Sequence, residues 1–236
     1  MKSILIPKRF CGPPDSGNGG YTCGLLAERL GGTTEVTLRK PIPIEQEMMV
    51  ENVSAQKALL KLGEELIAEG SSFELEMGEA PQVEYEQARV AAEGSPAFGE
   101  HPFPTCFVCG PLRAEGDGLR IFPGAVKTGE DFQHLYAAPW VPDDSLSDGT
   151  DKVRDEMVWA ALDCPTGFAG GFPYEGKLVT GRLGAKLLSP VRVGEKCVLV
   201  SWRLGVDGRK HHAAAVLVGE GGAIHAQAKA TWIKLQ

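Results

Sequence analysis

The chain has 236 residues, of which 43% are hydrophobic and 23% are charged, and its formal net charge is −7 at pH 7. This length and composition are typical of a globular protein of one large or two small domains with a substantial core. The acidic balance, together with Lys/Arg runs of two residues at most, argues against nucleic acid or an anionic membrane as the main partner, although one anionic small molecule needs only a local basic patch.

The N-terminal residues and the cysteines indicate where the chain works. Residues 1–10 contain too short an apolar core for a secretory signal, and no apolar run approaches the roughly 20 residues of a membrane span. Six cysteines are scattered along the chain, and Cys23 and Cys164 fall in predicted buried helices. Such a pattern suits reduced thiols better than a disulfide framework. We therefore expect a cytoplasmic protein.

The first third of the chain is predicted to contain one short helix and several strands. The helix covers residues 21–30 and ends at Gly31-Gly32. Alternating and β-branched residues predict strands at 3–6, 33–44, 45–53 and 57–77. We expect turns at residues 52–54 and 69–72. Propensity alone also allows a helix over residues 57–68, which are rich in Ala, Leu, Lys and Glu.

The middle of the chain differs in composition from both ends. Residues 78–131 are rich in Pro, Gly and Glu and poor in apolar residues. The exception is residues 101–124, where aromatic residues and two cysteines interrupt the polar sequence. We interpret this region as a connection that carries one structured loop.

The last part of the chain repeats the order of a helix followed by strands. A strand is predicted over residues 132–140, and a polar turn separates it from the stretch at residues 153–169, which begins as a helix. Four alternating segments follow as strands, at 179–193, 195–208, 210–222 and 223–235. Glycine-containing turns between them, at Val193-Gly194, Asp207-Gly208 and Gly221-Gly222, are typical of hairpins.

The second predicted helix has an unusual composition. A charged first turn precedes an apolar run from Met157 to Leu162, which indicates a buried helix, and Pro165 is expected to stop it. One acid, Asp163, lies in this helix directly after the run, between Leu162 and Cys164. A carboxylate in apolar surroundings is costly unless it is paired, hydrogen-bonded or protonated. Asp163 is therefore either a cap that binds backbone amides near the helix end or a functional group.

The two ends of the chain resemble each other in sequence. Residues 38–50 correspond to residues 187–200, with Pro41 opposite Pro190, and residues 59–77 correspond to residues 215–233. An internal duplication at this spacing is typical of two fused, similar domains, and it favours the strand interpretation of residues 57–68. The predicted organisation is a first half (1–78), a connecting segment (79–130) and a second half (131–236).

A helix followed by a curved antiparallel sheet, twice over, resembles the double hotdog fold of acyl-CoA thioesterases, an α+β architecture. Asn18-Gly19-Gly20-Tyr21 is similar to the His-Gly-Gly or Asn-Gly-Gly entry to that family's first helix. Residues 159–169 are similar to the second helix, in which an acid faces the thioester. The chain departs from the family in two ways: position 18 is Asn where many relatives have His, and the helix around Asp163 has no Gly-Gly of its own before it.

This resemblance implies a thioester hydrolase, whose only small-molecule partner is an acyl thioester of coenzyme A or of a carrier protein and which needs no further cofactor. Asp163 is the expected general base, and the backbone amides of Gly19, Gly20 or Tyr21 are the expected donors to the oxyanion. Asn18 is expected to contact the substrate. We also expect the chain to form a homo-oligomer.

Two further residues are candidates for orienting the attacking water. Thr180 is predicted to lie on the strand that faces the helix, and Gln227 on the closing strand is a weaker candidate. Each candidate also has a plain structural interpretation. Asn18 is a good N-cap residue, Gly19-Gly20 can be a simple turn, and Thr180 has ordinary strand propensity.

The pair Cys106 and Cys109 has the spacing of half a zinc site. A structural zinc site needs four ligands, His101 supplies at most a third, and no second cysteine pair follows. We therefore predict no metal and interpret the pair as packed thiols in a tight turn or as a redox-active pair.

A basic group on the later strands is a possible contact for the phosphates of coenzyme A. His211-His212 lie in a strand, where alternation buries one imidazole and exposes the other. With Arg182, Lys186 and Arg203 they form either a phosphate-attracting group or a solvated sheet surface, and we favour the surface.

Two other functional classes remain open. A non-catalytic acyl-ligand binder or assembly module is the main alternative to the enzyme, because a fold does not fix a function. A hotdog dehydratase or hydratase is less favoured, since it requires a histidine paired with an acid and the sequence places no histidine near either helix.

Overall fold

Eleven antiparallel strands form one continuous sheet in the computed structural model, which describes residues 2–127 and 134–236. The strand order is β1-β3-β4-β5-β2-β8-β11-β10-β9-β7-β6. The strands span β1 Lys2–Leu5, β2 Thr34–Leu38, β3 Glu47–Ser54, β4 Lys57–Leu62, β5 Glu65–Ser72, β6 Gly124–Ala125, β7 Tyr136–Trp140, β8 Leu178–Leu187, β9 Cys197–Asp207, β10 Lys210–Val218 and β11 Ile224–Lys234.

The sheet consists of two similar halves that meet at the β2–β8 pair. The first half runs β1-β3-β4-β5-β2 and the second runs β7-β9-β10-β11-β8, so that equivalent strands take equivalent places on either side of the junction. Val36 of β2 lies opposite Leu183 of β8 in this junction. The internal duplication predicted from the sequence is confirmed.

Each half contributes one helix to the same face of the sheet. Helix α1 spans Gly19–Ala27 and helix α3 spans Asp155–Gly170, and the two helices pack against each other. Two glycines one turn apart allow the close approach. A Cβ atom on Gly20 would lie 2.5 Å from Cβ of Asp163, and one on Gly24 would lie 2.6 Å from Cα of Glu156.

Helix α3 does not stop at Pro165, and the prediction that it would is wrong. The helix continues for five residues beyond the proline, to Gly170, where Gly171 ends it with φ of 120°. Pro165 removes one amide donor, but contacts with the sheet hold this last part of the helix: Ser201 Oγ donates to the Pro165 carbonyl at 2.8 Å, and Trp232 Nε1 donates to Thr166 Oγ1 at 2.8 Å.

The strand interpretation of residues 57–68 is confirmed, whereas the predicted turn at residues 69–72 is wrong. Residues 57–62 and 65–72 form the hairpin β4–β5, and Gly63, with φ of 58°, lies in the turn between them. The turn falls there because glycine adopts a positive φ at little cost. Residues 52–54 belong to β3, which turns at residues 55–56 instead.

The connecting segment contains a helix that the sequence analysis missed. Helix α2 spans Tyr85–Glu93 and begins with a capping box between Glu84 and Gln87. It packs on the face of the sheet opposite α1 and α3, where Ala88 lies in a second apolar cluster with Val198 and Val200 of β9.

The loop after α2 joins the main core, as expected of a structured loop. Phe107 in this loop is fully buried and makes ring contacts with Phe10 and Tyr21, so the loop packs against the entry to α1. Of the strand predicted over residues 132–140, residues 132 and 133 lie outside the described residues, and β7 accounts for residues 136–140. None of the helices in the described ranges has the length and apolarity that crossing a bilayer demands.

Candidate functional site

Asp163 lies in the middle of α3, where that helix packs against the first turn of α1. Seven helical residues follow it, so it does not cap the end of α3, and this alternative is excluded. Its side chain is 1% exposed, yet it lines a cavity between the helices and strand β8. A buried acid therefore reaches an apolar-lined cavity.

Three hydrogen-bond donors bind the Asp163 carboxylate, two at the start of α1 and one on β8. Oδ2 accepts from the Gly20 amide at 2.9 Å and from Asn18 Nδ2 at 3.4 Å, both at the start of α1. Oδ1 accepts from Thr180 Oγ1 of β8 at 2.8 Å. The structure thus brings together four of the residues selected from the sequence: Asp163, Asn18, Gly20 and Thr180. Oδ1 keeps a lone pair for a further donor, since each carboxylate oxygen accepts about two hydrogen bonds.

The environment of Asp163 favours a carboxyl that exchanges its proton near neutral pH. Burial raises the pKa of Asp163 to about 7, and the nearby Cys106 sulfur also raises it. The hydrogen bonds from Gly20, Thr180 and Asn18 act in the opposite direction, because they stabilise the ionised form. A general base works best when its pKa lies near the operating pH.

Asn18 serves as a cap and as a partner of the acid at the same time. Its Oδ1 accepts from the Tyr21 amide at 2.9 Å, the usual N-cap bond of a helix, while its Nδ2 faces Asp163. Asn18 is buried and lines the cavity. The capping interpretation of Asn18 is therefore correct but incomplete.

The three predicted oxyanion amides differ in what they bind. The Gly20 amide donates to Asp163 and the Tyr21 amide donates to Asn18. The Gly19 amide makes no hydrogen bond to the described residues, and Gly19 lines the cavity at the positive end of the α1 dipole. Gly19 also touches β8, since a Cβ there would lie 2.6 Å from Thr180 Oγ1.

The cavity has a volume of about 470 Å³ and a mostly apolar lining. Aromatic and aliphatic side chains from both halves form its walls: Leu38, Ile42, Phe103, Phe168, Phe172, Leu178 and Trp232. Arg39 and Lys40, both partly exposed, also line it. Apolar walls with a few converging polar groups are typical of a small-molecule site.

Gln227 does not belong to this site. It lies on β11 between Ala226 and Ala228, which are fully buried in the core under the helices, so its own side chain points to the other face of the sheet. It is not among the residues that line the cavity. The suggestion that Gln227 orients a water is therefore wrong.

A cluster of thiols borders the carboxylate. The sulfur atoms of Cys106, Cys109 and Cys164 all lie within 4.8 Å of one another, and those of Cys106 and Cys164 are 3.7 Å apart. The thiols of Cys109 and Cys164 hydrogen-bond to the Cys106 sulfur and hold its pKa well below the ordinary range. The sequence analysis paired Cys106 with Cys109 but did not connect either of them with Cys164 of α3.

His101 contacts the thiol cluster. Its Nδ1 accepts from the Phe103 amide at 3.0 Å, and its Nε2 lies 3.4 Å from the Cys109 sulfur. Because Nδ1 accepts an amide proton, the neutral imidazole carries its own proton on Nε2. His101 therefore donates its Nε2 proton to the Cys109 sulfur, and Nε2 has no free lone pair.

The basic group proposed for phosphate binding is mostly engaged elsewhere. Arg203 donates to the carbonyls of Ala169 and Gly170 and pairs with Glu175, so it caps the C-terminus of α3. Arg182 lies 3.3 Å from Glu35. These contacts favour a structural role for the two arginines over phosphate binding.

The two histidines of β10 correct one premise of the sequence analysis. His211 is buried and hydrogen-bonds the Gly170 carbonyl at 2.7 Å, whereas His212 is half-buried. The statement that no histidine lies near either helix is thus wrong. His211, however, contacts the last residue of α3, seven positions after Asp163, and does not form a pair with that acid.

Comparison with solved structures identifies the architecture. A tesB protein from Mycobacterium avium subspecies paratuberculosis matches 99% of this chain and 92% of its own, at 13% identity and a TM-score of 0.60. A conserved protein of unknown function with a hotdog fold, from Alicyclobacillus acidocaldarius, matches 99% and 92% of the two chains, at 10% identity and a TM-score of 0.60. The chain has the double hotdog fold.

Further comparisons agree with this fold. A candidate thioesterase from Novosphingobium aromaticivorans matches 99% of this double hotdog and 95% of its own chain, at 12% identity and a TM-score of 0.60. No sequence-family model and no curated protein matches the chain by sequence.

Proposed function

We propose that this double hotdog protein hydrolyses an acyl thioester, with Asp163 as the general base. The observation that supports this most directly is a single buried carboxylate that lines an apolar cavity and is held by donors from both halves of the chain. The three donors fix the orientation of the carboxylate, so that the remaining lone pair of Oδ1 points in one direction. A general base needs such a fixed lone pair to accept a proton from a positioned water.

The proposed reaction uses water and the side chains of this chain. Asp163 takes a proton from a water molecule, and the water oxygen bonds to the thioester carbonyl carbon. The carbonyl oxygen becomes an oxyanion, for which the Gly19 amide is the best-placed donor because no described residue accepts from it. The carbon–sulfur bond then breaks, and Asp163 returns its proton to the departing thiolate.

The cavity supports an acyl group as the buried part of the substrate. Its walls are largely apolar, and its volume of about 470 Å³ lies within the usual range of ligand sites. Arg39 and Lys40 carry positive charge at the cavity, where each pairs with a glutamate. An anionic thiol such as coenzyme A would compete with these glutamates for the two cations. The similar structures include one named as a candidate thioesterase, which points in the same direction.

We further propose that the reaction takes place in the cytoplasm. All six cysteines are free and buried, which suits a reducing compartment. We also propose that the chain forms a homo-oligomer, since most soluble oligomers are symmetric assemblies of identical chains.

The decisive experiment compares Asp163→Asn with the wild type on acyl-CoA thioesters of graded chain length. A thiol reagent measures the coenzyme A released. Asparagine keeps the size of the side chain but accepts no proton, so we expect turnover to fall by roughly 10²–10⁴. Asp155→Asn makes the same chemical change at an exposed position of the same helix and is expected to keep wild-type turnover.

Two results would contradict the proposal. Unchanged turnover in Asp163→Asn would remove the aspartate from the mechanism. Binding of acyl thioesters by the wild type without turnover of any of them would favour the alternative of a non-catalytic acyl-ligand binder, for which the same cavity supplies the site.

A further inference from the structure

The thiol cluster joins two elements that are distant in sequence. Cys106 and Cys109 lie in the loop of the connecting segment, and Cys164 lies on α3, next to Asp163. All three are buried, and none forms a disulfide. Their sulfur atoms nevertheless face one another across the loop–helix contact, all within 4.8 Å.

The spacing of these sulfurs fits a metal ion. Zinc binds thiolate sulfur at about 2.3 Å in tetrahedral sites, which places two sulfur ligands roughly 3.8 Å apart. The Cys106 and Cys164 sulfurs are 3.7 Å apart, and the Cys109 sulfur lies within reach of both. The side chains would need little movement to surround one ion.

Two N–H donors outside the cluster lie beside its sulfur atoms. His101 directs its Nε2 proton at the Cys109 sulfur, 3.4 Å away, and Asn18 Nδ2 lies 4.0 Å from the Cys106 sulfur. Donors of this kind, outside the ligands themselves, commonly orient metal-bound groups and stabilise their charge. Three buried thiolates without a cation would be costly, and a divalent ion would reduce their net charge from −3 to −1.

We propose that Cys106, Cys109 and Cys164 form a binding site for one thiophilic divalent cation of the zinc type. A second cysteine pair is not needed, because the third thiolate comes from Cys164 of α3 and not from the loop. The three thiolates leave one tetrahedral position. Because all three cysteines and Asp163 line the cavity, a water or ligand there would complete the coordination.

The proposed ion would fix the connecting segment to the central helix. Cys106 and Cys109 lie beside Phe107, which packs against the entry to α1, so the ion would hold this loop against both helices. This inference does not depend on thioester hydrolysis, since it can be tested without any substrate.

The test is metal binding by the full chain. The protein is purified under reducing conditions, stripped with a chelator and titrated with Co²⁺ and then Zn²⁺. We expect one equivalent of Co²⁺ with thiolate-to-metal charge-transfer absorption and the intense visible bands of a four-coordinate ion, all of which Zn²⁺ abolishes. Native mass spectrometry should show one bound zinc ion. Absence of bound metal in the wild type by both measurements would overturn the proposal, whatever the variants do.

Variants then assign the ligands. Cys106→Ser and Cys164→Ser are each expected to lose the bound equivalent and the charge-transfer bands. Cys23→Ala changes a buried cysteine outside the cluster and is expected to keep both. Thermal unfolding of each variant shows whether it is folded. Stoichiometric metal binding retained by the two folded serine variants would overturn the assignment.

Discussion

Thr180 is the partner that ties Asp163 to the sheet. Its hydroxyl donates to Oδ1, the carboxylate oxygen that the Gly20 and Asn18 donors leave free. The hydroxyl therefore fixes the oxygen that would receive the proton of the attacking water. It also carries lone pairs with which it can accept a hydrogen bond from that water.

Thr180→Val removes this hydroxyl and keeps the shape of the side chain. A hydrogen bond to a charged group contributes about 1.5–3 kcal/mol, so we expect kcat for thioester hydrolysis to fall by roughly 10- to 100-fold. Thr180→Ser keeps the hydroxyl and should stay close to the wild type. Steady-state kinetics check this, and wild-type kcat in the valine variant would show that Thr180 is only a strand residue.

Individual site residues could be predicted from the sequence where a residue type is unusual for its position. An acid within an apolar helix, and an Asn-Gly-Gly entry to another helix, could be selected because such residues are costly or conformationally special where they stand. The contact of Cys164 with Cys106 could not be predicted. It depends on how the connecting segment folds back, and 58 positions separate the two residues.

The packing of α1 against α3 depends on glycines at the contact. A Cβ on Gly20 would lie 2.5 Å from Cβ of Asp163 and 2.7 Å from the Trp159 carbonyl oxygen, which is closer than real contacts allow. The same glycine places its amide on Asp163. The geometry of the site therefore depends on how closely the helices approach.

Gly20→Ala should destabilise the fold, although alanine is the better helix former by about 1 kcal/mol. Overpacking a rigid contact usually costs about 1–3 kcal/mol, and the neighbours here are helix backbone and Cβ atoms that cannot turn away. Denaturant unfolding measures the change. Gly78→Ala, where a Cβ would meet nothing within 4 Å, is the control. Equal stability of the Gly20 variant and the wild type would contradict the role of the close contact.

The type of most elements was predictable from periodicity, but their ends were not. Alternation in the sequence predicted the meander of each half. The helix end expected at Pro165 was wrong because Ser201 and Trp232 bind the helix beyond it, and such tertiary contacts override local preference. Helix α2 was missed because its surroundings are rich in Pro, Gly and Glu and only Ala88 of the helix is fully buried.

The two halves of the molecule share one sheet and one helix–helix contact, so we expect them to unfold as one unit. Strands β2 and β8 pair directly, α1 packs on α3, and the partners of Asp163 come from both halves. Leu183 of β8 is fully buried at the junction, opposite Val36 in one direction and Ala230 in the other. Loss of packing at this position should therefore affect both halves.

Leu183→Ala tests this cooperativity. Truncation of a buried leucine costs about 2–5 kcal/mol, and we expect that loss in a single unfolding transition. Hydrogen exchange followed by mass spectrometry should show faster exchange in β5 of the first half as well as in β11 of the second half. Faster exchange limited to the second half would indicate two units that unfold separately.

The two similar halves of the chain are not chemically equivalent. Helix α3 presents an acid to the first turn of α1, whereas α1, with the sequence GGYTCGLLA, contains no acid to present in return. Two identical halves would have carried two equivalent crevices, each with its own acid. In this chain only α3 carries the acid and only α1 opens with the Gly-Gly amides, so we expect one binding site per polypeptide, with one molecule of ligand bound at a time.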